Sequence, residues 1–530
     1  MATAFELYTQ GQYEEIWKKY CGFVDLDLDQ FMRIQTRLLE EQLKLLGASR
    51  IGQDFFGGRT PQNVDEFRKT VRLTTYADYA PYFDEQREDM LPVKPRWWLH
   101  TSGRSGEYRF KLVPYTPQMV RRLGEVVTAL FIFASCSGRG DFPFEPGDRM
   151  LYTMAPFPYM SGGVARAVLE EFPFAMLPPL EQAESMDFEE RIERGLEMAL
   201  KDGMEAFNAI AVVLVKIGER FAEGAGRKRL SSTLLHPKVL ARLLRGWVRA
   251  RLDGRRALLP KDLWSVKGVA TGGTDTQVFR DKIKEMWGRE PIEAYGCTEG
   301  GLFALQNWDG GAMTLIPDIS FLEFIPTGER EKFEVDPSYR PDTLLLDEVQ
   351  VGEVYEVVVT NFAGGAYTRY RTGDLLQVTG LGDDDLGIGL PQFVFYAKTR
   401  DVIDLGSFCR LTERTIWQAI EGSGARYVDW FAAKTYSEDA PLLELHIEFV
   451  DGHGDLAEVG AAIHQNLCAM DQPYADLEGM LGIHPLRIRP LSSGAFKRYR
   501  EVQQERGADL AHLKPPHMSP SDSQLELLLS

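Results

Sequence analysis

Ile292-Glu-Ala-Tyr-Gly-Cys-Thr-Glu-Gly300 joins a short apolar run to a turn of small and polar residues. Residues 292–295 read as a strand, and the turn closes it where open α/β sheets hold their ligands. Upstream, Met150-Leu-Tyr-Thr-Met154 and Val266-Lys-Gly-Val-Ala270 read as further strands, and the amphipathic stretches 117–135, 186–201 and 276–288 read as helices. Strands alternating with helices predict a parallel sheet covered on both faces. Downstream, Glu353–Thr360 and Tyr367–Val378 flank the Gly-rich turn Ala363-Gly-Gly365, an antiparallel pattern.

The rest of the chain frames this centre. Much of 5–46 reads as helical, with Phe31, Ile34, Leu38 and Leu45 as its apolar stripe. Residues 381–390 are a polar, Gly-rich loop, and a strand follows at 392–396. A domain boundary is expected near Lys398–Asp401, giving a large domain over 1–398 and a small α+β domain over 399–530. The small domain has a helix at 412–421, a strand at 442–449 and a helix at 455–469. The Pro/Ser-rich tail after Pro515 is expected to be loose.

Bulk properties exclude several functions. The chain has 530 residues, 44% hydrophobic and 26% charged, an ordinary globular composition. Sixty Lys+Arg against 78 Asp+Glu leave a net charge of −18, which argues against a general nucleic-acid or anionic-membrane binder. The five cysteines are far apart and form no CxxC pair, so neither a disulfide framework nor a structural zinc site is expected. The eight histidines form no metal motif. The start lacks a basic stretch followed by an apolar run, and the longest apolar run, Ala209–Val215, is too short to span a bilayer. A cytoplasmic protein is expected.

Three segments carry candidate chemistry. Thr101-Ser-Gly-Arg-Ser-Gly106 is a Ser/Gly loop whose backbone N–H groups and hydroxyls could approach an anion, with Arg104, Arg109 and Lys111 as nearby cations. It lacks the Gly-Lys-Ser/Thr ending of a Walker A loop. In Tyr295-Gly296-Cys297-Thr298-Glu299, the tyrosine ring can stack on a base, the threonine can donate to phosphate and the glutamate can hold Mg²⁺. Upstream, Thr271-Gly-Gly-Thr274 offers bare backbone at Gly272 and Gly273 for a flat ring, or is only a tight turn. In Thr368-Arg-Tyr-Arg-Thr-Gly-Asp374, the aspartate can accept both hydroxyls of a ribose, and Arg369 and Arg371 alternate along one face. Each motif alone reads more readily as an ordinary turn.

Together and in this order, the three resemble the superfamily of acyl-CoA synthetases, luciferases and peptide-synthetase adenylation domains. The match lies in TSGRSG, YGCTE and YRTGD. Ala397-Lys-Thr-Arg-Asp-Val-Ile-Asp-Leu-Gly406 is similar to the superfamily's hinge, although Asp404 replaces a usual lysine. Within the superfamily the chain most resembles the plant amido synthetases that join auxin or jasmonate to amino acids. The features are KLVP after TSGRSG, Phe321-Leu-Glu-Phe-Ile-Pro326, Glu356-Val-Val-Val-Thr-Asn361, Pro391-Gln-Phe-Val-Phe395, Ser493-Gly-Ala-Phe496 and His512-Leu-Lys-Pro515. The plant enzymes read SSGTSGG and YASSE, so the likeness is to a bacterial-type relative.

The resemblance implies an α/β fold: a large N-terminal domain of α/β subdomains with mixed sheets and a β-barrel-like portion, and a small mobile α+β C-terminal domain. It implies that a substrate carboxylate attacks the α-phosphate of MgATP to give acyl-AMP and pyrophosphate. The acyl group then passes to an amine or amino acid. Coenzyme A is the alternative acceptor, and a degenerate nucleotide-binding regulator is the reading outside enzymes. By the same likeness Thr101, Ser102, Gly103, Ser105 and Gly106 hold the pyrophosphate end of ATP. Gly272, Gly273, Tyr295, Gly296 and Thr298 hold adenine and α-phosphate, Asp374 holds ribose, and Arg400 lies in the nucleotide-facing hinge. Glu299 binds Mg²⁺, and Lys514, Glu299 and Thr298 form the catalytic set. The acid pocket falls near Phe157–Gly163, a stretch that by itself reads more readily as a packing loop.

Overall fold

Thr116 caps the helix Pro117–Ser135, its hydroxyl accepting the Met119 N–H at 3.2 Å, and Pro117 supplies the first turn. The helix is buried along most of its length. It packs against the strands Gly268–Gly272, Pro291–Cys297 and Gly301–Gln306, and its largely apolar stretch Val126–Ala134 sits in the core. In this computed structural model the described residues are 2–101, 111–186, 188–223, 236–272, 276–336, 338–398, 402–405, 409–437, 440–450, 455–481, 484–505, 517–520 and 522–529. They divide into a large unit up to Ala397 and a small unit from Lys398 onward.

The large unit is built on an 11-stranded sheet. One half is parallel: Ala175–Leu177, Arg149–Tyr152, Ala206–Ile210, Gly268–Gly272 and Pro291–Cys297 lie side by side. The helices Ala211–Glu223 and Thr276–Trp287 connect successive strands and pack together, as parallel strands require. Beyond Pro291–Cys297 come Gly301–Gln306, Met313–Leu315, Gln392–Lys398, Tyr370–Gly380, Val354–Asn361 and Ser320–Pro326. The portion expected to be barrel-like is an open antiparallel extension of the same sheet, whose last strand, Ser320–Pro326, is bridged on its outer side by Leu344 at Phe324.

The N-terminal helix Leu28–Gly47 covers that edge. The Gln35 side chain accepts the Leu322 N–H and donates to the Ser320 carbonyl, both at 2.9 Å, and so occupies backbone groups that an edge strand leaves open. Gln42 does the same at Gly364 and Gly365. The buried stripe is therefore Phe31, Gln35, Leu39, Gln42, Leu43 and Leu46, and Leu45 is exposed. The expected stripe sits one position off because two of its true members are glutamines.

The small unit has the strands Tyr427–Ser437, Ala440–Phe449 and Leu486–Pro490 in one sheet, with the helices Glu413–Gly422 and Leu456–Met470 packed together. The expectation of a loose tail is corrected at its end: Asp522–Leu529 is a helix whose Leu528 is buried against Phe431, Phe496 and Tyr499. Among the described residues no helix is long and apolar enough to cross a membrane.

Candidate active site

The strand Pro291–Cys297 turns back directly into Gly301–Gln306. A Cβ at Gly296 would stand 2.1 Å from the Gly301 carbonyl oxygen, and Gly301 itself has φ +80°. Both positions therefore need glycine, one for close backbone approach and one for a left-handed backbone. Cys297 Sγ accepts the Gly300 N–H at 3.2 Å, which tightens the turn and leaves the thiol a structural role.

This turn and the YRTGD segment are hydrogen-bonded to each other. The Tyr295 hydroxyl donates to Asp374 Oδ2 at 3.0 Å, and the Tyr370 hydroxyl donates to Glu299 Oε1 at 2.8 Å. Tyr295, Glu299, Tyr370 and Asp374 are all buried, so neither carboxylate is the solvated group that a plain turn would carry. Lys111 Nζ completes the cluster at 3.1 Å from Glu299 Oε1. Burial alone would raise the Glu299 carboxyl; the Lys111 charge and the hydrogen bonds around it outweigh this and hold its pKa below the ordinary value. Glu299 is thus a buried, ionised carboxylate.

The flanks of the Ser/Gly loop reach the same place. Trp97–His100 pairs antiparallel with Leu112–Tyr115, and the Thr101 N–H donates to the Lys111 carbonyl at 3.1 Å. These two strands were not anticipated, nor was Lys111 as the direct partner of Glu299. Tyr115 donates to the Thr298 carbonyl at 2.8 Å, which holds the YGCTE turn from the other side. A Cβ on Gly272 would meet nothing within 4 Å among the described residues.

The two arginines of YRTGD do not share a role. Arg369, with φ +44°, pairs with Glu323 at 2.8 Å and donates to the Arg68 and Val71 carbonyls at 2.6 Å. Arg371 makes a two-pronged pair with Glu356 at 2.9 and 2.6 Å. Both anchor the strand rather than facing a ligand. The Phe157–Gly163 stretch packs on Trp97–His100: the His100 N–H donates to the Pro158 carbonyl at 3.2 Å, and the His100 and Tyr159 rings meet at 4.3 Å. In the small unit, Asp404 lies in the strand Val402–Leu405 and pairs with Arg410 at 3.2 Å. Ser102, Gly103, Ser105, Gly106, Gly273, Arg400 and Lys514 lie outside the described residues.

The open α/β sheet of the large unit is a fold shared with solved ligases of low sequence identity. The solved 2-hydroxyisobutyryl-CoA ligase has this fold, with TM-score 0.54 at 14% identity over 89% of this chain and 88% of that one. So does the AtGH3.15 acyl acid amido synthetase, with TM-score 0.53 at 18% identity over 99% and 95%. The chain belongs to the GH3 family: its N-terminal, central and C-terminal domain models match residues 23–160, 313–398 and 412–523, in that order. The jasmonoyl-L-amino acid synthetase JAR6 of Nicotiana attenuata is 24% identical over 566 aligned positions, covering 93% of each chain. Several other plant synthetases are matched over less than half of their length.

Proposed function

We propose that the protein activates a carboxylic acid with MgATP as an acyl-adenylate and then transfers the acyl group to an amine or amino acid. The observation that carries this reading is the link between Tyr295 and Asp374 and between Tyr370 and Glu299, which joins two distant motifs in one buried cluster. In this reading Asp374 accepts the ribose hydroxyls. Tyr295 and the open backbone at Gly272 flank the adenine, and Thr298 faces the α-phosphate. Thr101, Ser102, Gly103, Ser105 and Gly106 hold the pyrophosphate end. Arg400 and Lys514 come from the small domain, acting as a mobile lid, and Lys514 brings a point cation to the reacting carboxylate and phosphorus.

Magnesium fits this donor set. Among the described residues no three His, Cys, Asp or Glu side chains form a complete metal cage. Mg²⁺ characteristically takes one or two carboxylates and fills its remaining positions with water and substrate phosphates. Glu299 supplies one ionised carboxylate. When bound, the metal would neutralise phosphate charge; the chain's own task is alignment and electrostatic stabilisation.

The test is acid-dependent ATP–pyrophosphate exchange over aryl, indole, fatty and amino acids, followed by product mass with mixed amines and with coenzyme A. One acid class should drive exchange, and Glu299→Gln should lower it about 100-fold or more while raising the Mg²⁺ requirement. An amide mass supports the reading and a thioester mass supports the coenzyme A alternative, which the CoA-ligase-like spelling YGCTE favours. ATP binding without exchange for any acid would point to a regulator.

A further inference from the structure

The parallel strands have another end. Arg149 begins the strand Arg149–Tyr152, Glu205 precedes Ala206–Ile210, and Trp264 and Ser265 precede Gly268–Gly272. A cavity of about 520 Å³ opens there, at the opposite end of the strands from Gly272 and Tyr295. Lys201, Lys238, Arg242, Arg245 and Arg249 line it, with Asp202 and Glu205 as the acidic members of its wall. Glu205 is engaged by Arg149 at 2.9 and 2.6 Å. Lys201, Lys238 and Arg245 have no carboxylate partner among the described residues. Arg242 Nε is buried without a hydrogen-bond partner. Burial, then the nearby Arg149 and Arg245 charges, lower the Arg242 pKa against the opposing pull of Glu205 and Asp202.

Four of these cations come from one helix, Pro237–Leu252, which contains no acidic residue. At 3.6 residues per turn its surface divides into three strips. Val239, Gly246 and Ala250 are buried, and a Cβ at Gly246 would press to 2.7 Å from Leu263 Cδ2. Lys238, Arg242, Arg245 and Arg249 form the cationic strip along the cavity. The third strip is apolar and exposed: Leu240 at 51%, Leu244 at 65%, Leu252 at 82%, with Trp247 and Val248 between them. Arg251 is the one charge within that arc, folded over the Trp247 ring at 5.2 Å. A surface helix that has already given one face to the core ordinarily fills the remainder with polar residues of both signs. This one carries a large apolar arc beside positive charge alone, the pattern of helices that lie in a bilayer interface.

We propose that the helix Pro237–Leu252 and its cavity dock the protein on an anionic phospholipid surface, with phosphate headgroups at the cationic strip and the apolar arc in the headgroup–acyl boundary. Charge complementarity selects this occupant. A chain of net charge −18 is repelled by an anionic bilayer as a whole, and the helix is a local reversal of sign. A symmetric dimer through this face would set like charges against each other. The helix lies on the membrane and does not span it, a local exception to the expectation of no membrane binding drawn from net charge. The Tyr295–Glu299 turn, at the far end of the strands, would face away from the lipid.

Flotation of the full chain with vesicles tests this independently of any adenylation activity. Vesicles of phosphatidylcholine should leave the protein unbound, and vesicles with about one third phosphatidylglycerol should carry it, less so as salt shortens the Debye length to about 3 Å at 1 M. Lys238→Gln, Arg245→Gln and Arg249→Gln combined should weaken binding about 100-fold, near the sum of three interfacial charges. Leu244→Ser with Leu252→Ser should weaken it on anionic vesicles without altering the thermal transition. Equal binding to both vesicles, no binding to either, or full binding by the triple variant would overturn the proposal. So would a concentration-dependent dimer in sedimentation velocity that Leu244→Ser abolishes, which would assign the arc to a second copy.

Discussion

The two ends of the parallel strands treat charge in opposite ways. At the YGCTE end every buried charge named above has a protein partner: Glu299 with Lys111, Asp374 with Tyr295, Arg369 with Glu323 and Arg371 with Glu356. At the other end Lys201, Lys238 and Arg245 stand around a cavity without carboxylate partners among the described residues. A buried charge must be matched before any ligand arrives, because leaving it alone costs several kcal/mol. Exposed cations carry no such cost and can wait for an outside anion. The first end is organised in advance; the second is open to a partner.

The sharpest break of this contrast is Glu323→Ala. It strands a buried guanidinium and should cost the large unit about 3–5 kcal/mol, read as a lower urea midpoint by tryptophan fluorescence. Arg245→Gln at the other end should change the midpoint by less than about 0.5 kcal/mol. Equal effects would erase the distinction. A smaller effect is expected from Tyr295→Phe, which removes one hydrogen bond from Asp374. It should weaken ATP binding in calorimetry by about 1 kcal/mol, the worth of a typical hydrogen bond.

The small unit offers an intermediate case that pH can dissolve. His517 lies between Glu413 at 2.6 Å and Asp429 at 2.8 Å and stacks on Trp430 at 4.6 Å. Burial works against its charge, but the two carboxylates outweigh it and raise its pKa above the ordinary value. The stabilisation is therefore fully present below about pH 6.5, the unfolded value. It fades as pH rises through the higher folded value. His517→Gln should lower the thermal transition at pH 6 by the equivalent of about 0.5–1 kcal/mol, given partial solvent screening, and by less at pH 9. An equal loss at both would show that stacking, not charge, matters.

Local punctuation explains what was legible in the sequence. The helix Pro117–Ser135 coincides with its expected span because a capping threonine and a proline mark its start. The strands Arg149–Tyr152, Gly268–Gly272 and Pro291–Cys297 fall within two residues of expectation because short apolar runs between helices have few other readings. What escaped was non-local. Lys111 and Glu299 are separated by 188 positions, and no periodicity joins them. Trp97–His100 and Leu112–Tyr115 are four residues each, too short for alternation to register. The glutamines on Leu28–Gly47 read as solvent-facing, since nothing local announces a sheet edge needing donors and acceptors.

The hairpin around YGCTE slips by one residue: Tyr295 lies opposite Ala304, but Gly296 lies opposite Leu302. Side chains on a strand change sides at each step, so this slip sets which way each letter of the motif looks. Removing or adding one residue between Tyr295 and Ala304 would turn either the tyrosine or the glutamate away from its partner. A change of side chain within the turn leaves the facing of Tyr295 and Glu299 as it is, whereas a change in its letter count does not.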